Sequence, residues 1–133
     1  MTAKRSASLP NARQARTDWR VLARIDSATL VEVQLHTGRT HQIRVHFSAL
    51  RHPVVGDTLY GASGQLQVGN VSLAALERNF LHAAKLGFRQ PRTGQTIQLT
   101  APLPAELRDY LAKLAAAAGE SSTRIDAALK GFL

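Results

Sequence analysis

The sequence predicts an α+β domain in which an antiparallel-dominated mixed sheet carries two or three helices. Three observations lead to this prediction: a length of 133 residues, which suits one domain, alternating strand patterns, and stretches with helical spacing. Hydrophobic residues make up 44% of the chain and charged residues 20%, a balance that allows a packed core and argues against wholesale disorder. No apolar run approaches the roughly 20 residues that cross a bilayer, so no membrane partner is expected.

The first predicted elements form a β-hairpin followed by a helix. Residues 19–25 and 30–35 have strand patterns, and the turn-forming residues 26–28 lie between them. Thr40 stands where a helix N-cap is expected. A single helical face then recurs at i, i+4 and i+7, through Ile43, Phe47 and Leu50. Pro53 ends this predicted helix.

The remaining elements are predicted from the same periodicities. Residues 62–70 are polar and predict a loop, residues 72–78 a short helix, and residues 81–88 and 96–100 two strands around a turn. The next helix is marked by the regularly spaced leucines Leu107, Leu111 and Leu114. Residues 120–133 predict a further amphipathic helix.

The charge balance points to a polyanionic partner. Seventeen Lys and Arg residues stand against nine acids, which gives a net charge of +8, and thirteen of the seventeen are arginine. Arginine binds phosphate through a planar fork, so a nucleic-acid partner is favoured over an uninvolved basic surface. The chain has no cysteine, which excludes disulfides, thiolate zinc sites and cysteine nucleophiles. We expect a cytoplasmic location.

The segment that carries most chemistry is residues 37–46, Thr-Gly-Arg-Thr-His-Gln-Ile-Arg-Val-His. A strand ends there in a glycine turn and a helix begins, so unpaired backbone N–H groups lie beside two arginines and favour an anion. Arg44 lies one turn into the helix and can point back past its start, where a buried carboxylate would find a fixed cation. The alternative interpretation is a solvated basic helix.

Residues 37–46 resemble the signature of the RluA-type family of RNA pseudouridine synthases. Further blocks agree with that family in order and spacing, namely residues 15–22, 52–61, 81–94 and 101–104. The resemblance covers about residues 14–114, with Arg51 as a small departure where the family often has Gly. It implies the C-terminal half of a catalytic domain over residues 14–116. Low hydrophobicity and basic charge predict a flexible basic leader over residues 1–13, and the helical pattern predicts a helical tail over residues 117–133. The implied fold is half of the pseudouridine synthase fold.

The resemblance also implies roles for individual residues. Arg44 would pair with the nucleophilic Asp and keep it ionised, and Arg39 and His41 would position the turn or contact RNA phosphate. Leu81 would form an apolar wall against the uracil ring. Tyr60 would either stack on a base or lie in the core with its hydroxyl bonded. The partner would be ribosomal or transfer RNA, and neither a cofactor nor a metal is expected; the five histidines lack the companions that a metal site needs.

One family motif is missing from the chain. The family's nucleophile lies in an Arg-Leu-Asp motif upstream of the Thr-Gly-Arg block, and only two Arg-Ile-Asp triplets, ending at Asp26 and Asp126, resemble it. We expect neither to be the nucleophile, because the first falls in the hairpin turn and the second beyond the matching blocks. Asp57 is interpreted as a turn-capping acid. The chain alone is therefore expected to be catalytically silent.

Two other interpretations remain open. A non-catalytic basic RNA-binding module would bind RNA in a salt-dependent way and stay monodisperse. A DNA-binding domain that uses residues 41–51 as a recognition helix is disfavoured by the matched blocks. Half of a catalytic domain would instead have an exposed sheet edge and a missing wall, which predicts self-association or local disorder.

Overall fold

The computed structural model describes residues 15–36 and 41–133 in full and residues 4–7 as backbone. Its first sheet has three antiparallel strands in the order β1 (Lys4–Ala7), β2 (Thr17–Ile25) and β3 (Ala28–Leu35). The predicted hairpin of β2 and β3 is confirmed, with Asp26 at a φ of 53° in its turn. Strand β1 lies where a flexible leader was expected. The backbone groups of β1 find their hydrogen-bond partners in β2. The hydropathy of the side chains does not indicate this pairing.

Helix α1 (Gln42–Ala49) packs on the beginning of β2. The ring of Phe47 meets Trp19 edge to face, with 5.3 Å between the ring centroids. His41 is the N-cap residue and has a left-handed φ of 51°, and its side chain makes no capping bond. The N-cap of α1 is therefore His41 and not Thr40, the residue that the sequence predicts. Thr40 itself lies outside the described residues.

A second hairpin replaces the loop and the helix predicted for residues 62–78, so that part of the prediction is wrong. Strands β4 (Gln65–Val68) and β5 (Val71–Ala74) pair in antiparallel register around Gly69, whose φ is 58°. The hairpin is held by the rest of the molecule: Tyr110 donates its hydroxyl to the Ala74 carbonyl at 3.1 Å, and the Gly69 amide donates to Asp26 at 3.0 Å. Such long-range contacts override a weak local helical pattern.

The third hairpin joins β6 (Lys85–Arg89) and β7 (Thr96–Thr100) and is followed by two helices. Strand β7 agrees with the prediction, whereas β6 begins four residues later than predicted. Helix α2 (Ala105–Ala117) is confirmed, and α3 (Ser122–Ala128) is shorter than the predicted amphipathic helix. Ser121 caps α3 by accepting a hydrogen bond from the Thr123 amide at 3.2 Å, which satisfies one of the unpaired donors of its first turn.

The core lies between the end of β2, the β4–β5 hairpin, α2 and α3. It consists of buried apolar side chains that these elements share, namely Ala23, Ile25, Val68, Tyr110, Leu111, Leu114, Ala115, Ile125 and Leu129. Every strand pair in the described ranges is antiparallel, in three separate sheets. Together with the three helices this confirms the α+β class. In the described part of the chain no helix is long and apolar enough to cross a membrane.

Candidate active-site arginine and its surroundings

Arg44 and Asp57 form a bidentate ion pair at the start of α1. The Arg44 Nε donates to Asp57 Oδ2 and Nη2 donates to Oδ1, each at 2.8 Å. The Asp57 side chain is fully buried, and 16% of the Arg44 side chain is exposed. The hydrogen bonds from Arg44 hold the pKa of the Asp57 carboxyl below its usual value despite its burial, and the same bonds raise the pKa of Arg44. Both groups are therefore charged at neutral pH.

Asp57 is placed by a tightly constrained turn. Gly56 has a φ of +84°, and a Cβ added to it would lie 1.9 Å from the Arg78 carbonyl oxygen. The Asp57 amide donates to the Val54 carbonyl at 2.9 Å, and the Phe80 amide donates to Val55 at 2.8 Å. Only glycine tolerates both this φ and this close approach. Gly56 therefore fixes the carboxylate that follows it.

The interpretation of Asp57 as a turn-capping acid is incomplete. Asp57 is the N-cap residue of a 3₁₀ turn (Thr58–Tyr60), and the Tyr60 backbone amide contributes to the lowered pKa of its carboxyl, but the main partner of that carboxylate is Arg44. The sequence carried a signal for this pair, because Asp57 is the acid nearest to the acid-free basic block of residues 39–52. The family resemblance implies a partner for Arg44 outside the chain, and the structure provides a first partner within it.

Tyr60 links Arg44 to His41. The Arg44 Cζ lies 4.9 Å from the centroid of the Tyr60 ring, a cation–π distance. The Tyr60 hydroxyl lies 3.0 Å from His41 Nδ1, and the two rings meet edge to face at 5.8 Å. The Tyr60 carbonyl accepts a hydrogen bond from Ser48 at 2.7 Å. Tyr60 thus has a bonded hydroxyl and a half-buried ring, so it combines features of both roles considered for it.

The other expected site residues are placed less directly. Leu81 is half-buried and follows Phe80, whose backbone bonds the turn that carries Asp57. Arg39 lies outside the described residues. The structure therefore brings Arg44, His41 and Tyr60 into contact and ties the chain next to Leu81 to the same turn.

A buried polar network beneath α1 was not predicted. The Gln42 side-chain amide donates to the Arg16 carbonyl at 2.9 Å and to the Thr17 hydroxyl at 3.1 Å. The Thr17 hydroxyl lies 2.6 Å from His46 Nδ1, and both side chains are buried. The Thr17 hydroxyl thus joins the side-chain amide of Gln42 to the imidazole of His46 beneath α1. Burial lowers the pKa of His46.

Neither Arg-Ile-Asp triplet supplies the carboxylate that Arg44 binds. Asp26 lies in the β2–β3 turn, as predicted, and accepts a hydrogen bond from the Gly69 amide. Asp126 is exposed on α3. No group of three or more potential metal ligands occurs among residues 15–36 and 41–133.

Comparisons with known proteins give a consistent result. Residues 1–49 match the family model of the RNA pseudouridylate synthases. An uncharacterized RNA pseudouridine synthase of Chloroflexus aurantiacus is 48% identical over 110 residues, which cover 83% of this chain and 33% of the relative. The ribosomal large subunit pseudouridine synthase D of Xylella fastidiosa is 44% identical over 77% of this chain and 32% of its own length. The same enzyme of Nitrosomonas europaea is 38% identical over 80% of this chain and 31% of its own length. The chain thus spans about a third of these relatives.

Proposed function

Over the matched residues the chain belongs to the RNA pseudouridine synthase family, and we propose that it supplies the arginine side of a site that isomerises uridine in RNA. In that reaction the bond from uracil N1 to the ribose breaks and a bond from C5 to the ribose forms. The C5 proton leaves to solvent and N1 takes up a proton from solvent, so the product is an isomer of uridine. The relatives that act on the large ribosomal subunit favour ribosomal RNA as the substrate, with transfer RNA as the alternative. The place of action we propose is the cytoplasm, where both RNAs occur.

The observation that carries this proposal is the geometry of Arg44. A guanidinium has five N–H donors, and Asp57 accepts from two of them along the Nε–Nη2 edge. Three donors remain, including both on Nη1, and the side chain is partly exposed. One edge of the Arg44 guanidinium is therefore fixed by Asp57, and the other edge can donate hydrogen bonds to a second carboxylate. A nucleophilic carboxylate bound there would be held ionised and oriented.

That second carboxylate is the family's nucleophilic Asp, for which the 133 residues contain no Arg-Leu-Asp motif. We therefore propose that the chain alone does not catalyse the reaction. His41 and Tyr60 would position the turn and the base, and Leu81 would lie against the uracil ring. No cofactor or metal takes part in this proposal.

A chimera tests the catalytic role of Arg44. In the chimera, the 110 matched residues of this chain replace the corresponding segment of the Chloroflexus aurantiacus relative, and the rest of the relative is kept. The activity measured is tritium release from 5-tritiated uridine in ribosomal RNA. We expect an active chimera and a loss of kcat of about 100-fold on Arg44→Lys, because lysine cannot bridge two carboxylates in a fixed plane. Arg108→Lys, at an exposed position on α2, is the matched control and should leave kcat unchanged.

The second candidate function is a non-catalytic RNA-binding module. It is favoured by the same ion pair, because Asp57 already neutralises Arg44 within the chain. A chimera that melts cooperatively but releases no tritium would support this candidate and contradict the first. Tritium release by the 133-residue chain alone, above a heat-inactivated sample, would contradict the proposed need for an external carboxylate.

A further inference from the structure

The β6–β7 hairpin has two chemically distinct faces. Register pairs Lys85 with Thr100 and Arg89 with Thr96, so these four side chains and Gln98 share one face. We call this the basic face. The opposite face carries Leu86, Phe88, Ile97 and Leu99 and is apolar. Both faces are largely exposed to solvent, with Leu86 at 59% and Leu99 at 53%.

The positive charge of the basic face is uncompensated. Residues 79–105 contain no acid, whereas Lys85 and Arg89 lie on the face and Arg92 lies in the adjoining turn. All three cationic residues are exposed. The exposed cations of α2 differ, because Arg108 and Lys113 share their helix with Glu106 and Asp109. Like charges kept together without acids indicate an anionic partner.

The hairpin is held in shape by its own contacts. The Arg89 Nε donates to the Gly94 carbonyl at 3.1 Å, and the Gln90 amide donates to Gln95 at 2.8 Å. At the other end Lys85 Nζ lies 4.7 Å from the centroid of the Phe132 ring, which ties the strand to the C-terminal segment. Lys85 and Arg89 are four residues apart on one strand, so their Cα atoms are separated by about 13 Å. The cations therefore form a pre-arranged row.

We propose that the basic face of the β6–β7 hairpin, extended by Arg92, binds the phosphate backbone of RNA. The side chains that contact nucleic-acid backbones are Arg and Lys together with Ser, Thr, Asn and Gln, which matches the composition of this face. The contacts read no sequence and add affinity and orientation. The identification of the anionic partner as RNA rests on the proposed function. The identification of the binding surface rests on the strand register and the charge distribution.

Binding of a fluorescent oligouridine of about 15 nucleotides to the 133-residue chain tests this surface. The triple variant Lys85→Gln/Arg89→Gln/Arg92→Gln is compared with Arg108→Gln/Lys113→Gln/Lys130→Gln, which removes the same charge from exposed positions elsewhere. We expect the slope of log K against log salt to become shallower by about 2 in the first variant, as loss of three phosphate contacts predicts. In the control the slope should stay close to that of the unmodified chain.

A second measurement on the unmodified chain does not depend on the folding of a variant. Bound oligouridine should protect Lys85 from acetylation and leave Lys113 and Lys130 reactive. Equal effects of the two triple variants, an unprotected Lys85, or no measurable binding at about 50 mM salt would each overturn the proposal. Because these measurements involve no catalysis, such a result would not contradict the isomerase proposal, which the chimera tests separately.

Discussion

At the scale of single residues, the ion pair between Arg44 and Asp57 organises the candidate site. The two groups share two hydrogen bonds, and the carboxylate has no exposure to solvent. Burying a charge is costly unless the charge is paired and hydrogen-bonded, so each partner needs the other for the turn and the helix to come together. The same pairing leaves the Nη1 side of the guanidinium available to bind a second anion.

Substituting Asp57→Asn should destabilise the chain, because the buried site loses a charge that Arg44 requires. We expect the melting temperature to fall by about 5 °C or more in thermal unfolding followed by circular dichroism. Asp109→Asn, an exposed acid on α2, is the control and should leave the melting temperature nearly unchanged. An Asp57→Asn chain as stable as the unmodified one would show that the pair does not support the fold.

His46 should make the stability of the chain depend on pH. Burial lowers its folded-state pKa below the unfolded value of about 6.5, so the unfolded chain binds the extra proton first. The free energy of unfolding should therefore decrease as the pH falls below about 6.5, and the decrease should stop below the folded-state pKa. Urea unfolding of His46→Gln should show a weaker decrease between pH 7 and 5.5. His52→Gln, at an exposed histidine, should retain the full decrease.

At the scale of elements, the turn before the 3₁₀ segment depends on one glycine. Gly56→Ala would place a Cβ at 1.9 Å from the Arg78 carbonyl and force a left-handed φ on alanine. Gly94→Ala is a matched control, since its φ of +70° imposes similar strain with no atom within 4 Å of the added Cβ.

We expect Gly94→Ala to cost about 1–2 kcal/mol and Gly56→Ala distinctly more, measured by urea unfolding. Equal losses would mean that the close approach to Arg78 is relieved by small backbone shifts.

Elements with a strong local pattern were predictable from the sequence. The β2–β3 hairpin has a turn at Asp26, and α2 has a leucine stripe that is buried in the core, so both were predicted correctly. The β4–β5 hairpin was not, because residues distant in sequence hold it: Asp26 accepts from the amide of Gly69 in the turn, and Tyr110 donates to the carbonyl of Ala74 at the end of β5. The position of Arg44 followed from its motif. The role of Asp57 did not, since a single acid after a glycine is also typical of an ordinary turn.

At the scale of the whole molecule, the apolar face of the β6–β7 hairpin is uncovered. Leu86, Phe88 and Leu99 are each more than 40% exposed on a two-stranded sheet, an arrangement that favours association. We expect the chain to elute from gel filtration in a concentration-dependent way. Leu86→Thr/Leu99→Thr should shift it toward the monomer, while Leu59→Thr, at an exposed leucine outside the hairpin, should not. A monodisperse unmodified chain at high concentration would contradict this prediction.

Strand β2 serves both ends of the molecule. Its first residues anchor α1 through Thr17 and Trp19, and its last residues lie in the core with α3. Arg124 closes this arrangement by donating to the Arg24 carbonyl at 2.7 Å, across 100 residues of sequence. During synthesis at about 5–20 residues per second, β2 therefore emerges several seconds before its final packing partner exists. During that interval the last residues of β2, which later lie in the core, are exposed in the nascent chain. We expect a chaperone that binds apolar segments to bind the nascent chain at this stage.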